Sequence, residues 1–306
     1  MSGVVITWQE ALSVGPCVVA IGVFDGVHAG HAQMLSFAVK DAAEHQVPSV
    51  ALTFDRDPEQ VVSPGSAVPQ LLTLQDKCAA LLETGVDIVL VVPFTPELAR
   101  MPAEVFLDAF LKHCCEVKSL HVGEDFRFGA KAAGDADTLR DWAEQVGAKV
   151  HPHKLLEIDG APVTSTRIRG LIAEGDVGEA ARLMGRAPRV TGTVVEGRKQ
   201  GQELGFPTAN VRPVAFAAIP ADGVYAGRVI LTDGTIHRAA ISVGVPPTFP
   251  EARDYLEAHI IAFDDDIYGQ TITLEFVERL RAQQAFGNID LLVSAIRADV
   301  ERAASL

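Results

Sequence analysis

A glycine-rich turn at residues 22–31, with the sequence GVFDGVHAGH, constrains the fold of this chain more than any other segment. The residues before it, 16–21 (PCVVAI), form a short apolar run, which is typical of a buried parallel strand. The residues after it, 32–43, carry apolar side chains at helical spacing. The segment therefore predicts a strand, a glycine turn and a helix in direct succession.

The same turn is suited to binding a phosphate group. Glycine lets the backbone approach a ligand closely, and the free N–H groups and dipole of a helix start attract anions. His28 and His31 lie three residues apart there, so both can reach one phosphate. They could hold the charge that develops when a nucleotide α-phosphorus is attacked. A solvated or helix-capping histidine pair is the alternative interpretation.

Strand and helix patterns alternate through the first half of the chain. The predicted strands are 16–21, 48–54, 87–92, 119–122 and 149–153, and the predicted helices are 32–43, 74–84, 103–114 and 136–146. Such alternation predicts an α/β fold, a Rossmann-like parallel sheet with helices on both faces. Ligands of such sheets bind beyond the carboxyl ends of the strands, where the glycine turn lies.

The pattern changes near residue 186, where helical periodicity ends. Short strand-like runs follow, at residues 190–195, 223–231, 239–243 and 271–276, with turn residues between them. They predict a small antiparallel β-barrel, and residues 289–303 predict a C-terminal helix packed against it. The sequence therefore predicts two domains, 1–185 and 186–306.

Charge and hydropathy narrow the range of partners. A formal net charge of −14 argues against non-specific nucleic-acid binding. No apolar run approaches about 18 residues and the N-terminus lacks a basic segment, so we expect no membrane partner and a cytoplasmic location. The four cysteines, Cys17, Cys78, Cys114 and Cys115, show no Cys-x-x-Cys spacing and are expected to be buried free thiols. The sequence indicates no particular oligomeric state.

Two other segments carry residues suited to holding phosphates. In residues 164–169 (TSTRIR), Ser165 is a natural N-cap, and hydroxyl and guanidinium groups at a helix start suit the phosphates of ATP. An ordinary capped helix has the same pattern. In residues 205–210 (GFPTAN), Thr208 and Asn210 face the same way on an extended chain, as Mg²⁺ and phosphate ligands would. A turn with a capping threonine is the alternative there.

The turn at residues 22–31 resembles the signature of the HxGH nucleotidylyltransferases. Its G-x-F-D-G-x-H-x-G-H form is similar to that of the prokaryotic bifunctional riboflavin kinase/FMN adenylyltransferases, the FAD synthetases. Residues 122–129 (VGEDFRFG) and 164–169 resemble further motifs of the adenylyltransferase, and residues 205–210 and 255–260 (YLEAHI) resemble motifs of the kinase. The resemblance covers nearly the whole chain, with the motifs in the right order.

The resemblance implies an enzyme with two reactions. The C-terminal domain would phosphorylate riboflavin to FMN with ATP, and the N-terminal domain would adenylylate FMN to FAD with release of pyrophosphate. Riboflavin, FMN and ATP are the implied partners. Both reactions are in-line displacements at phosphorus, for which Mg²⁺ and positively charged side chains supply the charge stabilisation.

The resemblance also implies which residues form the two sites. In the first domain, the catalytic residues would be His28, His31 and Arg169. Contacts with the nucleotide and flavin are implied for Gly22, Phe24, Asp25, Gly26, Gly30, Asp125, Phe128, Ser165, Thr166 and Arg167. In the second domain, Glu257 would be the general base for the ribityl 5′-hydroxyl, and Thr208 and Asn210 would hold Mg²⁺·ATP. Further contacts there are implied for Gly201, Gly205, Phe206, Pro207 and Arg281.

Two of these assignments have simpler alternatives. The aromatic side chains of residues 126 and 128 could instead belong to the hydrophobic core. Glu257 could instead be a solvent-facing residue on an alternating strand.

Two segments depart from the family pattern. Asp57 stands where the family usually has a histidine near the nucleotide phosphates, with Arg56 in place of a proline, and Pro246 stands where asparagine is usual. A carboxylate near the triphosphate predicts slower adenylylation, which Arg56 could partly offset. An ordinary turn aspartate is the alternative. These departures keep open a diverged paralogue, with one working site or an altered substrate, and a non-catalytic flavin-binding regulatory protein.

Overall fold

The structure is a computed structural model that describes residues 3–8, 14–112, 115–197, 200–244 and 256–306. The chain divides into two units, Met1–Thr164 and Ser165–Leu306. Among the described residues, no helix has the length and apolar character needed to cross a membrane.

The first unit alternates strands and helices, as the sequence predicts. Its elements are β1 (Val4–Thr7), β2 (Gly15–Ile21), α1 (Ala29–His45), β3 (Ser49–Phe54), α2 (Glu59–Val62), α3 (Leu74–Glu83), β4 (Ile88–Val92), α4 (Pro96–Ala99), α5 (Ala103–Leu107), β5 (Cys115–Gly123), α6 (Ala136–Val146), β6 (Lys149–His153), β7 (Glu157–Ile158) and β8 (Ala161–Pro162). Six of the strands form one parallel sheet in the order β1-β4-β3-β2-β5-β6, which confirms the predicted α/β architecture. The short strands β7 and β8 pair with each other.

Strand β2 is buried on both faces of the sheet. Cys17, Val19 and Ile21 enter the core on one face, and Val18 and Ala20 enter the core on the other. Successive side chains of a strand point to opposite faces, so this burial explains the continuous apolar run. It also places the glycine turn after Ile21 at the carboxyl edge of the sheet.

Two details of this unit differ from the sequence predictions. The predicted helix over 103–114 ends as an α-helix at Leu107 and continues as a π-helical turn, Asp108–Lys112. The wider turn keeps the rings of Phe106 and Phe110 stacked at 5.2 Å while the Asp108 carboxylate accepts a hydrogen bond from the Trp142 indole N–H. Strand β1 is absent from the predicted set, although its sequence, VVIT, is β-branched, and its side chains are largely exposed.

Cysteines of the described residues are buried thiols. Cys17 in β2, Cys78 in α3 and Cys115 at the start of β5 are all free, which confirms the prediction for these three. Cys114 lies outside the described residues.

The second unit contains the predicted antiparallel barrel. Its elements are α7 (Ser165–Glu174), α8 (Val177–Met184), β9 (Arg189–Val195), α9 (Gln200–Glu203), β10 (Ala209–Pro213), β11 (Gly223–Ile230), β12 (Ile236–Val243), β13 (Leu256–Ile260), β14 (Thr271–Arg281) and α10 (Ile289–Ala304). The strands close in the order β10-β13-β12-β11-β14-β9. The barrel and its C-terminal helix confirm the predicted fold.

Helices α7 and α8 pack with this barrel. Val177 of α8 belongs to the barrel core, and the Arg279 guanidinium donates to the Glu174 carbonyl oxygen at 3.1 Å. The Ala221 N–H donates to the Ile172 carbonyl oxygen at 3.2 Å. These contacts explain why the second unit begins at residue 165. The domain boundary near residue 186 remains a prediction.

An ion pair holds α10 against the barrel. Arg281, at the end of β14, donates to Oδ2 of Asp299 from Nη2 at 2.8 Å and from Nε at 3.0 Å. Asp299 is 8% exposed, and the guanidinium also lies 5.5 Å from the centre of the Phe286 ring. Removing one partner of a buried pair leaves the other charge without compensation.

We therefore expect Asp299→Ala to lower the free energy of unfolding of the second unit by about 3 kcal/mol. Glu301→Ala, on the exposed face of the same helix, is the control and should change it by less than about 0.5 kcal/mol. Urea unfolding followed by circular dichroism measures both. Equal losses in the two variants would show that the ion pair does not hold α10.

Candidate functional site

The glycine turn between β2 and α1 has a strained backbone. Phe24 and Val27, although not glycines, have φ values of 54° and 38°, and Gly26 between them has φ 79°. Such conformations cost about 1–3 kcal/mol per non-glycine residue and persist only where the surroundings enforce them. Here Phe24 and Val27 are both fully buried. Packing therefore holds the turn in one conformation at the carboxyl edge of the sheet.

His28 caps α1 and stacks on His31. Its Nδ1 accepts from the His31 backbone N–H at 3.4 Å, and the two ring centres lie 3.7 Å apart at an angle of 15°. His28 therefore caps the helix, as the alternative interpretation of the sequence expects. Because Nδ1 accepts, a neutral His28 ring carries its proton on Nε2, where it can be donated to a ligand.

His31 presents a buried polar atom that the described residues leave without a hydrogen-bond partner. That atom is Nδ1, in a ring that also contacts the edge of Phe24 at 5.3 Å. Burial, with smaller effects of His28 and Lys77, holds the pKa of His31 well below its usual value. A buried polar atom without a partner is costly, so a bound oxygen ligand would satisfy it.

The glycines of the turn make room for the rings. Gly22 lies under the ring of Phe24, and Gly30 lies beside the ring of His28. The Asp25 carboxylate is buried and accepts the Leu71 N–H at 3.0 Å. This contact ties the turn to the segment that precedes α3.

A buried lysine that the sequence interpretation missed lies next to the turn. Lys77 of α3 is 6% exposed, and its Nζ donates to the carbonyl oxygens of Phe54 at 2.7 Å and Val23 at 3.2 Å. Burial lowers the pKa of Lys77, whereas Asp25, Asp57 and Asp55 favour its charged form. The signal that could have found it is a lysine four residues before Leu81, on the apolar face of a helix.

Asp57 lies in the same pocket as Lys77. Both line it together with Asp25 and Asp55, at the carboxyl ends of β2 and β3. Asp57 is 8% exposed, and its Oδ1 accepts the Glu59 N–H at 2.9 Å where α2 begins. Asp57 therefore makes the hydrogen bond of an ordinary turn aspartate, which is the alternative interpretation of the sequence.

Arg56, which was expected to offset the charge of Asp57, pairs with Asp55 instead. Its guanidinium donates to the neighbouring Asp55 carboxylate at 2.8 Å, and this ion pair is the interaction that raises the pKa of Arg56. Lys77 is a buried cation that lines the same pocket as Asp57.

The segment after β5 divides between surface and core. Asp125 is exposed, beyond the end of β5, as its position in the sequence predicts. Phe128 is 8% exposed and belongs to the core, with its ring 5.3 Å from that of Phe126 and 6.0 Å from that of Phe106. The core-aromatic alternative thus describes Phe128, and its contact with a flavin remains a prediction.

Helix α7 begins at Ser165, so Ser165 is its first helical residue rather than the expected N-cap. Thr164 precedes the helix instead. Thr166 is exposed, and Nη2 of Arg167 lies 3.4 Å from Oε1 of Glu179 on α8. Arg169 is half-buried. The contacts of this segment with nucleotide phosphates remain predictions.

The barrel brings two predicted site residues together. Asn210 on β10 is directly opposite Glu257 on β13, and Ser242 on β12 is opposite Glu257 on its other side. Opposite residues of antiparallel strands share a face, with Cβ atoms about 4.5–5.5 Å apart. Since the flanking Val211 and Leu256 enter the barrel core, Asn210 and Glu257 lie on the outer face.

The segment before β10 is fixed by its own backbone. The Phe206 N–H donates to the Gly201 carbonyl oxygen at 2.7 Å, and the Pro207 carbonyl oxygen lies 2.8 Å from Nδ1 of His259. Gly205, between these contacts, has φ 86°. Thr208 lies close to Gly201, so this turn places it next to Asn210.

Asn210 lies against the bare backbone of Gly197. A Cβ on Gly197 would be only 2.0 Å from Nδ2 of Asn210, far inside van der Waals contact. Asn210 is 8% exposed. The glycine is therefore required for the position of this amide side chain.

Arg281 and Pro246 are the last two of the residues that the sequence singles out. Arg281 is paired with Asp299, and its contact with a cofactor remains a prediction. Pro246 lies outside the described residues.

Two protein-family models match this chain, one in each half. The family model for FAD synthetase matches residues 11–167, and the family model for riboflavin kinase matches residues 184–306.

Bifunctional riboflavin kinase/FMN adenylyltransferases from several bacteria are similar over nearly the whole chain. The Pseudomonas fluorescens protein is 37% identical over 291 residues, which cover 95% of this chain and 93% of that protein. The Haemophilus influenzae protein is 35% identical and the Bacillus subtilis protein 30% identical, each covering 94% of this chain and 93% and 91% of the relative.

A solved structure has the same architecture throughout. It is a macrolide-efflux protein from Streptococcus pneumoniae, with a TM-score of 0.86, 29% identity and complete coverage of both chains. The likeness concerns the fold, and the named role is that of the Streptococcus protein.

The contact between Gly197 and Asn210 can be tested by substitution. We expect Gly197→Ala to displace the Asn210 amide and to lower the rate of FMN formation from riboflavin and ATP by about 10²-fold. Gly287→Ala is the matched control in the same unit, because a Cβ there meets no atom within 4 Å. Unchanged FMN formation in Gly197→Ala would show that the position of Asn210 is unimportant.

Proposed function

Because the chain belongs to the bifunctional riboflavin kinase/FMN adenylyltransferase family, we propose that the two predicted domains, 1–185 and 186–306, divide the two reactions between them. It is a transferase that phosphorylates riboflavin to FMN with ATP and adenylylates FMN to FAD, releasing pyrophosphate. The family models and relatives support this enzyme over the diverged paralogue and the non-catalytic flavin-binding protein. The pairing of Asn210 with Glu257 is the observation that carries the assignment of the kinase to the barrel.

In the kinase reaction, Glu257 is the general base. Its carboxylate accepts the proton of the ribityl 5′-hydroxyl while the oxygen attacks the γ-phosphorus and ADP leaves. Asn210, directly opposite, holds the phosphate chain beside the base. The fixed strand pairing keeps nucleophile, base and phosphate in line, which is the main requirement of phosphoryl transfer.

The donor atoms next to Glu257 suit Mg²⁺. The Thr208 hydroxyl and the Asn210 amide supply neutral oxygens, and the turns at Gly201 and Gly197 restrict where they lie. When bound there, Mg²⁺ neutralises charge on the β- and γ-phosphates of ATP. Mg²⁺ is therefore part of the proposal.

In the adenylylation reaction, a phosphate oxygen of FMN attacks the α-phosphorus of ATP, and pyrophosphate leaves. His28, with its proton on Nε2, and His31, with its buried Nδ1, hold the α-phosphate at the start of α1. We assign the β- and γ-phosphates to Ser165, Thr166, Arg167 and Arg169, and the adenine nucleotide to Asp125. That assignment is supported by the motifs that these residues share with the family.

A cytoplasmic location belongs to the same proposal. The co-substrate is ATP, and Cys17, Cys78 and Cys115 are free thiols, as is usual in a reducing compartment.

A reciprocal pair of variants tests the division of labour. Glu257→Gln keeps the shape of the side chain but removes the base, so FMN formation should fall by roughly 10²–10⁴-fold while ATP binding changes little. FAD formation from supplied FMN is the internal control and should persist. His31→Asn should have the opposite effect, lowering FAD formation by about 10²-fold and sparing FMN formation.

Separate assays of the two products on the full chain decide the outcome. Loss of both activities in both variants would contradict the division between the two predicted domains. Unchanged FMN formation in Glu257→Gln would exclude Glu257 as the base.

The charge of Asp57 has a test of its own. At an effective dielectric constant of about 20, a like-charge contact with a phosphate at about 4 Å would cost on the order of 4 kcal/mol, and Lys77 in the same pocket offsets part of it. Asp57→Asn keeps an acceptor for the Glu59 N–H and removes the charge, so FAD formation should rise by about fivefold with FMN formation unchanged. A fall in FAD formation would show instead that the Asp57 carboxylate, beside Lys77, is a working part of the site.

A further inference from the structure

Five titratable side chains that neither reaction uses gather where α1 packs against β5 and β6. Asp41 and His45 come from α1, His121 comes from β5, and His151 and His153 come from β6. We call these five residues the histidine cluster. They lie on the face of the sheet opposite Leu120 and Val122, which enter the core on the other side.

The sheet register explains why the histidines meet. His121 on β5 is the register partner of His151 on the parallel edge strand β6. His153, two residues further along β6, points to the same face as His151. Asp41 and His45, four residues apart, share one face of α1 above them.

Three ligand atoms of the cluster converge. The Asp41 Oδ2 lies 3.0 Å from Nε2 of His121 and 3.9 Å from Nε2 of His151, and the three residues each offer one ligand atom within 4.8 Å of the others. Zinc–ligand bonds of about 2.0–2.2 Å in a tetrahedral site separate the ligand atoms by about 3.4 Å. The observed distances bracket this value, so small side-chain adjustments suffice.

Outer contacts hold these ligands in place. The Ser119 hydroxyl donates to Oδ2 of Asp41, and Nδ1 of His121 lies 2.9 Å from Nε2 of His153. The His153 ring stacks on Phe37, with centres 5.1 Å apart and an angle of 5°. Hydrogen bonds from the second ring nitrogen of a ligating histidine are typical of metal centres, because they fix the tautomer and the ring orientation.

The contact between His121 and His153 leaves two tautomers of His121. When His153 supplies the shared proton, Nε2 of His121 is free to donate to Asp41. When His121 supplies it from Nδ1, its Nε2 lone pair faces the Asp41 carboxylate, and a cation between them relieves the repulsion. The second tautomer is the one that binds a metal.

Burial and hydrogen bonds shift the pKa values of three groups in the cluster. Burial, with His121 and His151 nearby, lowers the pKa of His153 to about 4, and burial also lowers the pKa of His121. Burial opposes ionisation of Asp41, but hydrogen bonds from Ser119 and His121 hold its pKa below the usual value.

We propose that Asp41, His121 and His151 form a binding site for one Zn²⁺ or a similar transition-metal dication, separate from both nucleotide sites. Two imidazoles and one carboxylate match zinc rather than Mg²⁺ or Ca²⁺, which take oxygen ligands. His151 is at the partly exposed side of the cluster, where water completes the coordination. The ion joins α1 to the edge strand β6.

Calorimetric titration of the full chain with Zn²⁺, in the presence of excess Mg²⁺ to occupy oxygen-donor sites, tests the proposal. We expect one Zn²⁺ per chain, and Co²⁺ in its place should give the intense visible absorption of a tetrahedral site. Asp41→Asn and His151→Gln should each weaken binding by more than about 100-fold. His153→Gln, which removes only the outer contact, should weaken it by about 10–100-fold.

His237→Gln on β12 is the matched control and should bind Zn²⁺ like the unaltered chain. Circular dichroism of each variant shows whether it is folded, and the variant His151→Gln, at a partly exposed position of an edge strand, is the decisive one. Absence of stoichiometric Zn²⁺ binding to the full chain would overturn the proposal. Binding that survives in folded His151→Gln would overturn it as well, because the ion would then lie elsewhere.

Discussion

Burial of β2 on both faces is the constraint on which the first unit depends. A shift of one residue in its register would exchange the side chains that face the two cores, so the end of the strand at Ile21 is fixed. The glycine turn must then begin at the carboxyl edge of the sheet. Packing of Phe24 and Val27 holds the turn in a conformation that an isolated peptide would avoid. These successive constraints fix the position of the stacked rings of His28 and His31.

In the second unit, closure of the barrel is the constraint that positions the candidate site. Asn210 and Glu257 are distant in sequence, and only the pairing of β10 with β13 makes them neighbours. That pairing is one of the hydrogen-bonded edges that turn a sheet into a closed barrel. A site built across two strands in this way is rigid, because neither strand can move without opening the barrel. Rigid placement suits reactions in which positioning supplies most of the catalysis.

Much of this architecture was predictable from local pattern. Apolar runs and helical spacing indicated the alternating sheet and the barrel, and the motifs indicated the family. The rest depends on contacts between distant segments. Lys77 sits on a helix whose pattern shows an apolar face but not the carbonyl oxygens it meets, and Phe128 could belong to a core or to a ligand pocket until its neighbours were known. The histidine cluster combines three elements, and only the register of β5 and β6 unites it.

The bare backbone at Gly197 has a consequence for how this chain can vary. A side chain at position 197 collides with the amide of Asn210, whereas a smaller residue at position 210 would remove the collision together with that amide. The two positions therefore form an epistatic pair, in which the acceptability of one substitution depends on the residue already present at the other. A single replacement of Gly197 is therefore disfavoured as long as Asn210 is present. Loss of Asn210 would release this restriction, so the order in which the two positions change decides whether each change is tolerated.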